Sequence, residues 1–310
     1  MRDLHVAGLT VRYGDFVAVD NVSFDVPGGS VLGLAGQSGS GKSTVARAVA
    51  GLTRSRGTVL LGGTDLRRAQ RHGGAKGRRM VQMIFQDPTS SLDPRFTVRE
   101  CIVEALPGQS RGDRRKRDER VAELLSVVAL DPAISGLHPR MLSGGQRQRV
   151  AIARALAAEP EVLIADEVTA SLDVSVQAVV LNLLKQIQRD MNLTMLFITH
   201  NLAVVRYICD DLAILNHGKV VEHGPAGQVL DRPHDPYTTA LVGAVLRPGS
   251  RLAKTGSAPS GDAPRPDLPS AGRGARTQAG GAVTAGGPAP ADRAAAPGSS
   301  ERGTGGHLQR

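Results

Sequence analysis

The sequence is short of several residue types and patterns, and each shortage excludes a class of protein. It has two cysteines and no tryptophan in 310 residues, and only 3% of its residues are aromatic. No stretch reaches the roughly 18 consecutive apolar residues that a membrane-spanning helix needs. Cys101 and Cys209 cannot supply the disulfide framework of a small secreted fold, and they suit a reducing compartment. We therefore expect a soluble or peripheral protein stabilised by its hydrophobic core.

The last 63 residues, 248–310, are poor in the side chains that build a core. Forty of them are Gly, Ala, Pro or Ser, four are Leu, Ile or Val, and none is aromatic. Such a segment cannot bury enough apolar surface to fold, so we predict disorder there. The remaining 247 residues are enough for one large α/β domain or for a domain with an inserted subdomain.

The formal net charge of +9 is unevenly distributed, because +4 of it lies in 248–310 and +5 in the rest of the chain. Two basic clusters carry most of the charge of the expected folded part. Neither contains an aromatic side chain that could stack on a base, which disfavours nucleic-acid binding. We interpret both as solvated surface, and contact with anionic lipid headgroups is the alternative. The clusters are Arg67, Arg68, Arg71, Lys76, Arg78 and Arg79, and then Arg111, Arg114, Arg115, Lys116, Arg117 and Arg120.

Hydrophobic periodicity predicts an α/β fold. Alternating apolar residues at 4–11 and 17–26 predict an antiparallel β layer. An apolar run at 31–35, followed by a glycine-rich loop and a helix over about 43–51, predicts a buried strand, a loop and a helix in succession. The helical pattern from 98 to 130 indicates an inserted subdomain, and the alternation after it indicates a parallel sheet covered by helices. The later predicted elements are a helix over 145–158, a strand over 162–165, a helix over 174–190, a strand over 193–198 and a hairpin over 211–222.

Residues 36–43 match the phosphate-loop pattern G-x-x-x-x-G-K-[ST] in full. The glycines let backbone N–H groups point inward around a β-phosphate, and the amino end of the following helix adds positive charge. In such a loop Lys42 reaches the β- and γ-phosphate oxygens, and the Ser43 hydroxyl binds Mg²⁺. The loop predicts a nucleoside triphosphate site. By itself it does not distinguish a transporter ATPase from a kinase or a GTPase.

Asp166 and Glu167 directly follow the predicted strand at 162–165. Because the carboxyl ends of parallel strands meet at one edge of a sheet, both carboxylates should lie beside the phosphate loop. Asp166 can then hold Mg²⁺ through water, and Glu167 can orient and polarise the water that attacks the γ-phosphate. Adjacent Asp and Glu favour a hydrolase over a kinase, which would need an acceptor pocket.

Residues 142–149, LSGGQRQR, resemble the signature motif of ATP-binding cassette (ABC) proteins. A serine and two glycines at the start of a helix expose N–H donors and a hydroxyl, which gives the chain a second phosphate-binding end. Two such ends indicate that ATP is sandwiched between two subunits, with Ser143, Gly144, Gly145 and Gln146 acting in trans. The resemblance implies an α/β P-loop NTPase of the ABC type, with a mixed central sheet, an amino-terminal antiparallel β layer and an inserted helical subdomain.

The same resemblance implies roles for further residues. Gln86 matches the Q-loop glutamine that senses Mg²⁺ and the γ-phosphate, and His200 matches the switch histidine that contacts the γ-phosphate and holds Glu167. Asp173 matches the D-loop aspartate of the dimer interface, and Tyr13 stands where an aromatic ring stacks on adenine. The implied ATP-binding residues are Tyr13, Gly36, Gln37, Ser38, Gly39, Ser40, Gly41, Lys42, Ser43, Thr44 and Gln86; the catalytic residues are Glu167 and His200; and the Mg²⁺ ligands are Ser43, Gln86 and Asp166.

Within the family the sequence is similar to the ATPase subunits of the dipeptide, oligopeptide and nickel importers. The resemblance covers about 4–245. Its finer features are QDP at 86–88 followed by SLDPR at 91–95, LDVSVQA at 172–178 and HDPYTTAL at 234–241. The last of these resembles the HPYT segment that closes the ATPase domain in this group.

Two features depart from the family pattern. Val168 replaces the proline of the usual Asp-Glu-Pro-Thr, which removes a rigid turn residue but keeps both carboxylates. Many members of the group also carry a cysteine-containing carboxyl-terminal extension, whereas no cysteine follows Cys209 here. No cluster or zinc site is therefore implied in the tail.

The resemblance implies an ABC ATPase domain over 1–247, with the helical subdomain inserted at about 96–158, and the tail over 248–310. The expected function is ATP hydrolysis that energises an importer for di- or oligopeptides, or for nickel or another small solute. The expected partners are transmembrane permease subunits, a second ABC ATPase subunit in a homo- or heterodimer, and indirectly an extracytoplasmic solute-binding protein, with no nucleic acid. The expected location is peripheral, on the cytoplasmic face of the cell (inner) membrane. The alternative is a non-transport ABC ATPase, such as an accessory ATPase of phosphonate breakdown.

Overall fold

The computed structural model describes residues 2–87, 91–108 and 113–246. The predicted tail, 248–310, and Pro88 of the 86–88 segment lie outside the described residues. The strands are β1 (Leu4–Tyr13), β2 (Phe16–Val26), β3 (Val31–Ala35), β4 (Arg56–Leu61), β5 (Thr64–Asp65), β6 (Val81–Ile84), β7 (Val162–Asp166), β8 (Thr194–Ile198), β9 (Asp211–Asn216) and β10 (Lys219–Pro225).

The described strands form two sheets. The smaller one is antiparallel, with the strand order β2-β1-β4-β5. The larger one has the order β10-β9-β3-β8-β7-β6, in which β9, β3, β8, β7 and β6 run parallel and β10 pairs antiparallel with β9. The predicted α/β fold, with a mixed central sheet and an antiparallel β layer, is confirmed.

Helices connect the strands of the larger sheet. In the described ranges, no helix combines the length and the apolar character that a membrane span requires. The α-helices are α1 (Lys42–Val49), α2 (Leu66–His72), α3 (Gly74–Arg79), α4 (Val98–Ala105), α5 (Arg114–Val127), α6 (Gly144–Ala157), α7 (Val174–Asp190), α8 (Leu202–Ile208), α9 (Ala226–Asp231) and α10 (Pro236–Leu246); 3₁₀ turns occur at Pro132–Gly136 and Pro139–Met141.

The central strands β3, β7 and β8 are buried along their whole length, which explains why they are apolar on both faces. Alternate residues face two different cores. Leu163 and Phe197 contribute to the core shared with α4, α5 and α6. Ile164 and Leu196 contribute to the core shared with β1, β2 and α1. The larger sheet therefore lies between the helical insertion on one face and the antiparallel sheet on the other.

Helices α4, α5 and α6 lie in the part of the chain where the helical insertion was predicted. Helix α4 begins with a capping box, in which Glu100 N–H donates to Thr97 Oγ1 (3.3 Å) and Thr97 N–H donates to the Glu100 carboxylate (2.7 Å). Helix α5 buries an apolar stripe at the predicted helical spacing. The stripe consists of Val121, Leu124 and Leu125.

Replacement of Phe197 by alanine should destabilise the fold strongly, because this ring is only 1% exposed at the centre of β8. The expected loss is about 3–5 kcal/mol of unfolding free energy, measured by denaturant titration. Phe16→Ala is the matched control, since that ring is 68% exposed, and its effect should stay within about 0.5 kcal/mol. Equal losses in the two variants would contradict the placement of Phe197 in the core.

Candidate active site

The phosphate loop follows β3 and ends where α1 begins at Lys42. Two positions in the loop require glycine, because the backbone of a neighbouring strand lies too close to leave room for a side chain. A Cβ on Gly36 (φ 151°) would lie 2.1 Å from the Leu215 carbonyl oxygen, and one on Gly41 (φ 105°) would lie 2.7 Å from the Ala18 carbonyl oxygen. The loop is therefore held between β2 and β9, and glycine is the residue that fits both places.

Lys42 lies folded back onto the loop. Its ammonium donates to the carbonyl oxygens of Gly36 (2.9 Å) and Gln37 (2.8 Å), and the residue is only 5% exposed. Burial lowers the pKa of Lys42, while the nearby charges of Glu167 and Asp166 act in the opposite direction. A buried cation in a glycine-rich loop provides a strong site for an anion.

Ser43 and Asp166 join the phosphate loop to the end of β7. The Ser43 hydroxyl donates to Asp166 Oδ1 at 3.0 Å. Burial raises the pKa of Asp166, and the hydrogen bond from Ser43 partly offsets this. A hydroxyl and a carboxylate at this distance are the oxygen donors that Mg²⁺ prefers, so the residues present fit the expected ion.

Glu167 occupies a sharp turn at the end of β7. Its φ is 47°, a left-handed conformation that is unfavourable for a non-glycine residue. Its N–H donates to the Ile198 carbonyl oxygen (3.0 Å), which fixes the turn against β8. Val168, which replaces the proline of the family pattern, is fully buried in the core. The strained turn directs the carboxylate toward the same edge of the sheet as the phosphate loop.

His200 lies beside Glu167. It follows β8, and its Nδ1 is 3.3 Å from Glu167 Oε1. The Glu167 side chain is 17% exposed and the His200 ring is 61% exposed. The Glu167 carboxylate is therefore sheltered and held in place by the His200 ring, whereas the exposed ring can also reach a ligand.

Gln86 reaches the same edge of the sheet from the neighbouring strand. It follows β6, in which Ile84 pairs with Ala165 of β7. Gln86 is exposed. Its position next to the carboxyl end of β7 is the one expected for a residue near Asp166, although no described hydrogen bond joins them.

The start of α6, which is predicted to bind phosphate, has its own hydrogen bonds, apart from those of the phosphate loop. Ser143 caps the helix: Gln146 N–H donates to Ser143 Oγ (3.2 Å), and Ser143 N–H donates to Gln146 Oε1 (2.9 Å). Space next to Gly145 is limited by Val176 of α7. Among the described hydrogen bonds, none joins this end of α6 to the phosphate loop of the same chain.

Asp173 and Tyr13 stand outside the central group. The Asp173 carboxylate caps α7 and accepts hydrogen bonds from Ser175 Oγ (2.6 Å) and Val176 N–H (3.0 Å), which lower its pKa. Tyr13 is half exposed and pairs with Phe16 across the β1–β2 hairpin. Phe16 is a second exposed ring at this hairpin, and it was not predicted from the sequence as a site residue.

Two further contacts to the phosphate loop were not expected from the sequence. Gly218, in the turn between β9 and β10, donates its N–H to the Ser40 carbonyl oxygen (2.9 Å). The Tyr237 hydroxyl accepts a hydrogen bond from Gln37 N–H (2.9 Å). Both residues lie in segments that the sequence had marked, the predicted hairpin and the HDPYTTAL segment. Neither pattern indicates, however, that its segment contacts the phosphate loop.

Comparison with known proteins agrees with this geometry. A family model described as ABC transporter matches residues 19–170. The chain is 42% identical over 274 residues to a predicted peptide import ATP-binding protein of Brucella ovis, covering 87% of this chain and 86% of that protein. It is 45% identical over 238 residues to the oligopeptide transport ATP-binding protein OppF of Bacillus subtilis, covering 76% of this chain and 78% of OppF.

A solved structure supports the same assignment. The dimeric ATP-binding cassette MJ0796, in a post-hydrolysis state bound to ADP and phosphate, matches with a TM-score of 0.64 and 29% identity. The match covers 72% of this chain and 98% of that chain. Fold, site geometry and sequence similarity therefore agree, and the chain belongs to the ABC transporter family as an ATP-hydrolysing member.

Proposed function

We propose that the chain binds MgATP at the carboxyl edge of its larger sheet and hydrolyses it to drive import of a di- or oligopeptide. The observation that carries the proposal is the convergence at that edge of Lys42, Ser43, Asp166, Glu167 and His200. A cation, a hydroxyl, two carboxylates and an imidazole suit phosphoryl transfer to water. The names of the relatives support a peptide as the solute and favour import over phosphonate breakdown.

ATP binding changes the partners of the loop residues. Lys42 exchanges the carbonyl oxygens that it now contacts for β- and γ-phosphate oxygens, which carry more negative charge. Ser43 and Asp166, with Gln86 at the neighbouring strand end, would hold Mg²⁺, and the ion would supply positive charge that neutralises the phosphate oxygens. Tyr13 stacks on the adenine ring.

Hydrolysis then depends on Glu167. Its carboxylate accepts a hydrogen bond from a water molecule and orients the water oxygen for in-line attack on the γ-phosphorus. The new P–O bond forms as the bond to the β–γ bridging oxygen breaks, and the products are ADP and inorganic phosphate, which takes up the water proton. His200 holds the Glu167 carboxylate and contacts the γ-phosphate.

A second subunit completes each ATP site. Ser143 Oγ accepts a hydrogen bond as a helix cap, so its proton is free to be donated to a γ-phosphate of the partner's ATP. Gly144 and Gly145 add backbone N–H donors at the amino end of α6, and Gln146, whose own N–H donates to Ser143 Oγ, contributes by holding the cap. Support comes from the separation of this helix end from the phosphate loop in the hydrogen-bond pattern, and from the dimeric state of MJ0796.

The membrane-spanning partner docks in a cleft of about 660 Å³ that we call the arginine cleft. Its described lining includes the end of α1, parts of α2 and β6, and five arginines, with no carboxylate. One of the five, Arg154, pairs with Glu104 (3.5 Å), which lies outside the lining. Phe85, next to Gln86, contributes to the wall and connects it to the ATP site. The cleft therefore suits a permease segment with acidic and apolar side chains. The five arginines are Arg54, Arg67, Arg71, Arg78 and Arg154.

This docking places the chain as a peripheral subunit on the cytoplasmic face of the membrane. The permease subunits supply the pore, and an extracytoplasmic solute-binding protein delivers the solute to them. The second ATPase subunit is a copy of this chain or a related one. Closure of the ATP-bound dimer drives the permease, and hydrolysis reopens the dimer.

Glu167→Gln should preserve ATP binding and lower the turnover of the isolated subunit by about a hundredfold or more, because an amide cannot act as the base. Turnover is measured by phosphate release, and binding by calorimetry. The variant should also accumulate as an ATP-bound dimer on gel filtration. Glu119→Gln, the same change at an exposed residue of α5, is the control. Near-native turnover of Glu167→Gln would remove Glu167 from its proposed role.

A mixing experiment tests the shared site. Ser143→Arg should bind ATP but not hydrolyse it, because the arginine blocks the partner's γ-phosphate. When Ser143→Arg and Glu167→Gln subunits are mixed, each heterodimer contains one site in which both changes meet and one intact site. ATP turnover should therefore recover above that of either variant alone. A site built within one chain predicts no recovery, since every subunit would then carry a defect.

Charge reversal tests the arginine cleft. Arg71→Glu should reduce peptide uptake and co-purification of the permease by roughly tenfold or more, because it repels an acidic partner segment. ATP turnover of the isolated subunit should stay unchanged. Arg68→Glu is the control: it is on the same helix, exposed and not among the residues lining the cleft. Equal loss of uptake in both variants would indicate a general charge effect and contradict specific docking.

A further inference from the structure

The phosphate loop has a hydrogen-bond partner near the carboxyl-terminal end of the described residues. Gln37, the second residue of the loop, donates its N–H to the Tyr237 hydroxyl at 2.9 Å. Tyr237 lies in the first turn of α10, 200 positions along the chain. The family model matches 19–170 and does not include this residue.

The segment that carries Tyr237 is fastened to β10. Glu222 accepts hydrogen bonds from the backbone N–H groups of His234 (2.9 Å) and Asp235 (3.1 Å). The Asp235 carboxylate in turn accepts from Tyr237 N–H (2.8 Å), which caps α10. These contacts fix the position of the Tyr237 backbone, and so of its Cα atom.

The Tyr237 ring is held by packing as well. It is half-buried against an apolar cluster that contains Ala35, Leu212 and Ile214. Ala35 is the last residue of β3, directly before the phosphate loop. The hydroxyl is therefore presented to the loop by a side chain that packs against the same apolar cluster to which the residue before the loop belongs.

Gln37 is consequently held from two sides. Tyr237 fixes its N–H, and the Lys42 ammonium binds its carbonyl oxygen at 2.8 Å. The second contact is lost when Lys42 turns to the phosphates of ATP, as the proposed function requires. The first contact occupies the Gln37 N–H, so Gln37 contributes to the ATP site through the position of its backbone and not as a phosphate donor, and this contact can persist through that change.

We propose that Tyr237 is a positioning residue that holds the first turn of the phosphate loop in its ATP-binding shape. This inference rests on the proposed function and adds to it a contribution of the HDPYTTAL segment to nucleotide affinity. Tyr237 acts through the Gln37 backbone and does not touch the reacting atoms. Its hydroxyl should therefore contribute to ATP binding and leave the chemical step unchanged.

The test is Tyr237→Phe, which removes the hydroxyl and keeps the packing of the ring. We expect the Kd and KM for ATP to rise about two- to tenfold, the range for one hydrogen bond, with kcat changed by less than twofold. Tyr207→Phe is the matched control, because the Tyr207 hydroxyl bonds the Asn182 side chain. It should leave ATP affinity unchanged.

Hydrogen exchange gives an independent readout. In the full-length protein without nucleotide, the Gln37 amide should exchange faster in Tyr237→Phe than in the unaltered chain or in Tyr207→Phe. A merely structural role for Tyr237 would lower the thermal midpoint without this local change or the rise in KM. Unchanged ATP affinity and unchanged exchange in a folded Tyr237→Phe variant would overturn the inference.

Lys42→Ala separates failure of this inference from failure of the proposed function. If Lys42→Ala weakens ATP binding and Tyr237→Phe does not, only the role of Tyr237 is wrong. If neither variant changes ATP affinity, the phosphate-loop site itself is wrong.

Discussion

The parallel pairing of β6, β7, β8 and β3 is the constraint on which the candidate active site depends. In this register Asp166 lies opposite Ile198, and Ile84 lies opposite Ala165. The strands therefore end side by side, and the groups that follow them meet at one edge. A shift of the strand register by one residue would move each buried side chain to the opposite face of the sheet, where it would not fit the core. The packing that stabilises the sheet thus also sets the geometry of the site.

The same burial leaves the site with two charges that their neighbours compensate only in part. Lys42 and Asp166 are both almost inaccessible to solvent. Burial lowers the pKa of Lys42 and raises the pKa of Asp166, so it favours the neutral form of each group. A phosphate beside the ammonium and a divalent ion beside the carboxylate would reverse both effects. A ligand that supplies both charges therefore makes interactions that the protein alone cannot make, and its binding should also stabilise the fold.

Sequence patterns predicted the local elements well, because local elements follow local rules. Helix α7 has the predicted bounds, 174–190, and the predicted strand at 162–165 is longer by one residue. The positive φ of Glu167 was not predictable, since glutamate has no preference for that conformation. The contact between Gln37 and Tyr237 was also missed, because nothing in either segment specifies a partner 200 positions away. The roles of the site residues, Gln86, Ser143 and Asp173 among them, remain predictions, since they depend on a ligand or a second subunit.

Two elements connect the ATP site to the arginine cleft, and their geometry explains how one could affect the other. Helix α1 begins at Lys42, and its last turn contributes Ala48 to the cleft wall, a rise of about 9 Å from one residue to the other. Strand β6 contributes Gln82 and Met83 to the wall and then leads to Gln86, at the sheet edge that we propose binds ATP. A short helix and a paired strand are stiff over such distances. If ATP binding shifts the phosphate loop or Gln86, helix α1 and strand β6 would therefore move with it and displace the wall of the cleft directly.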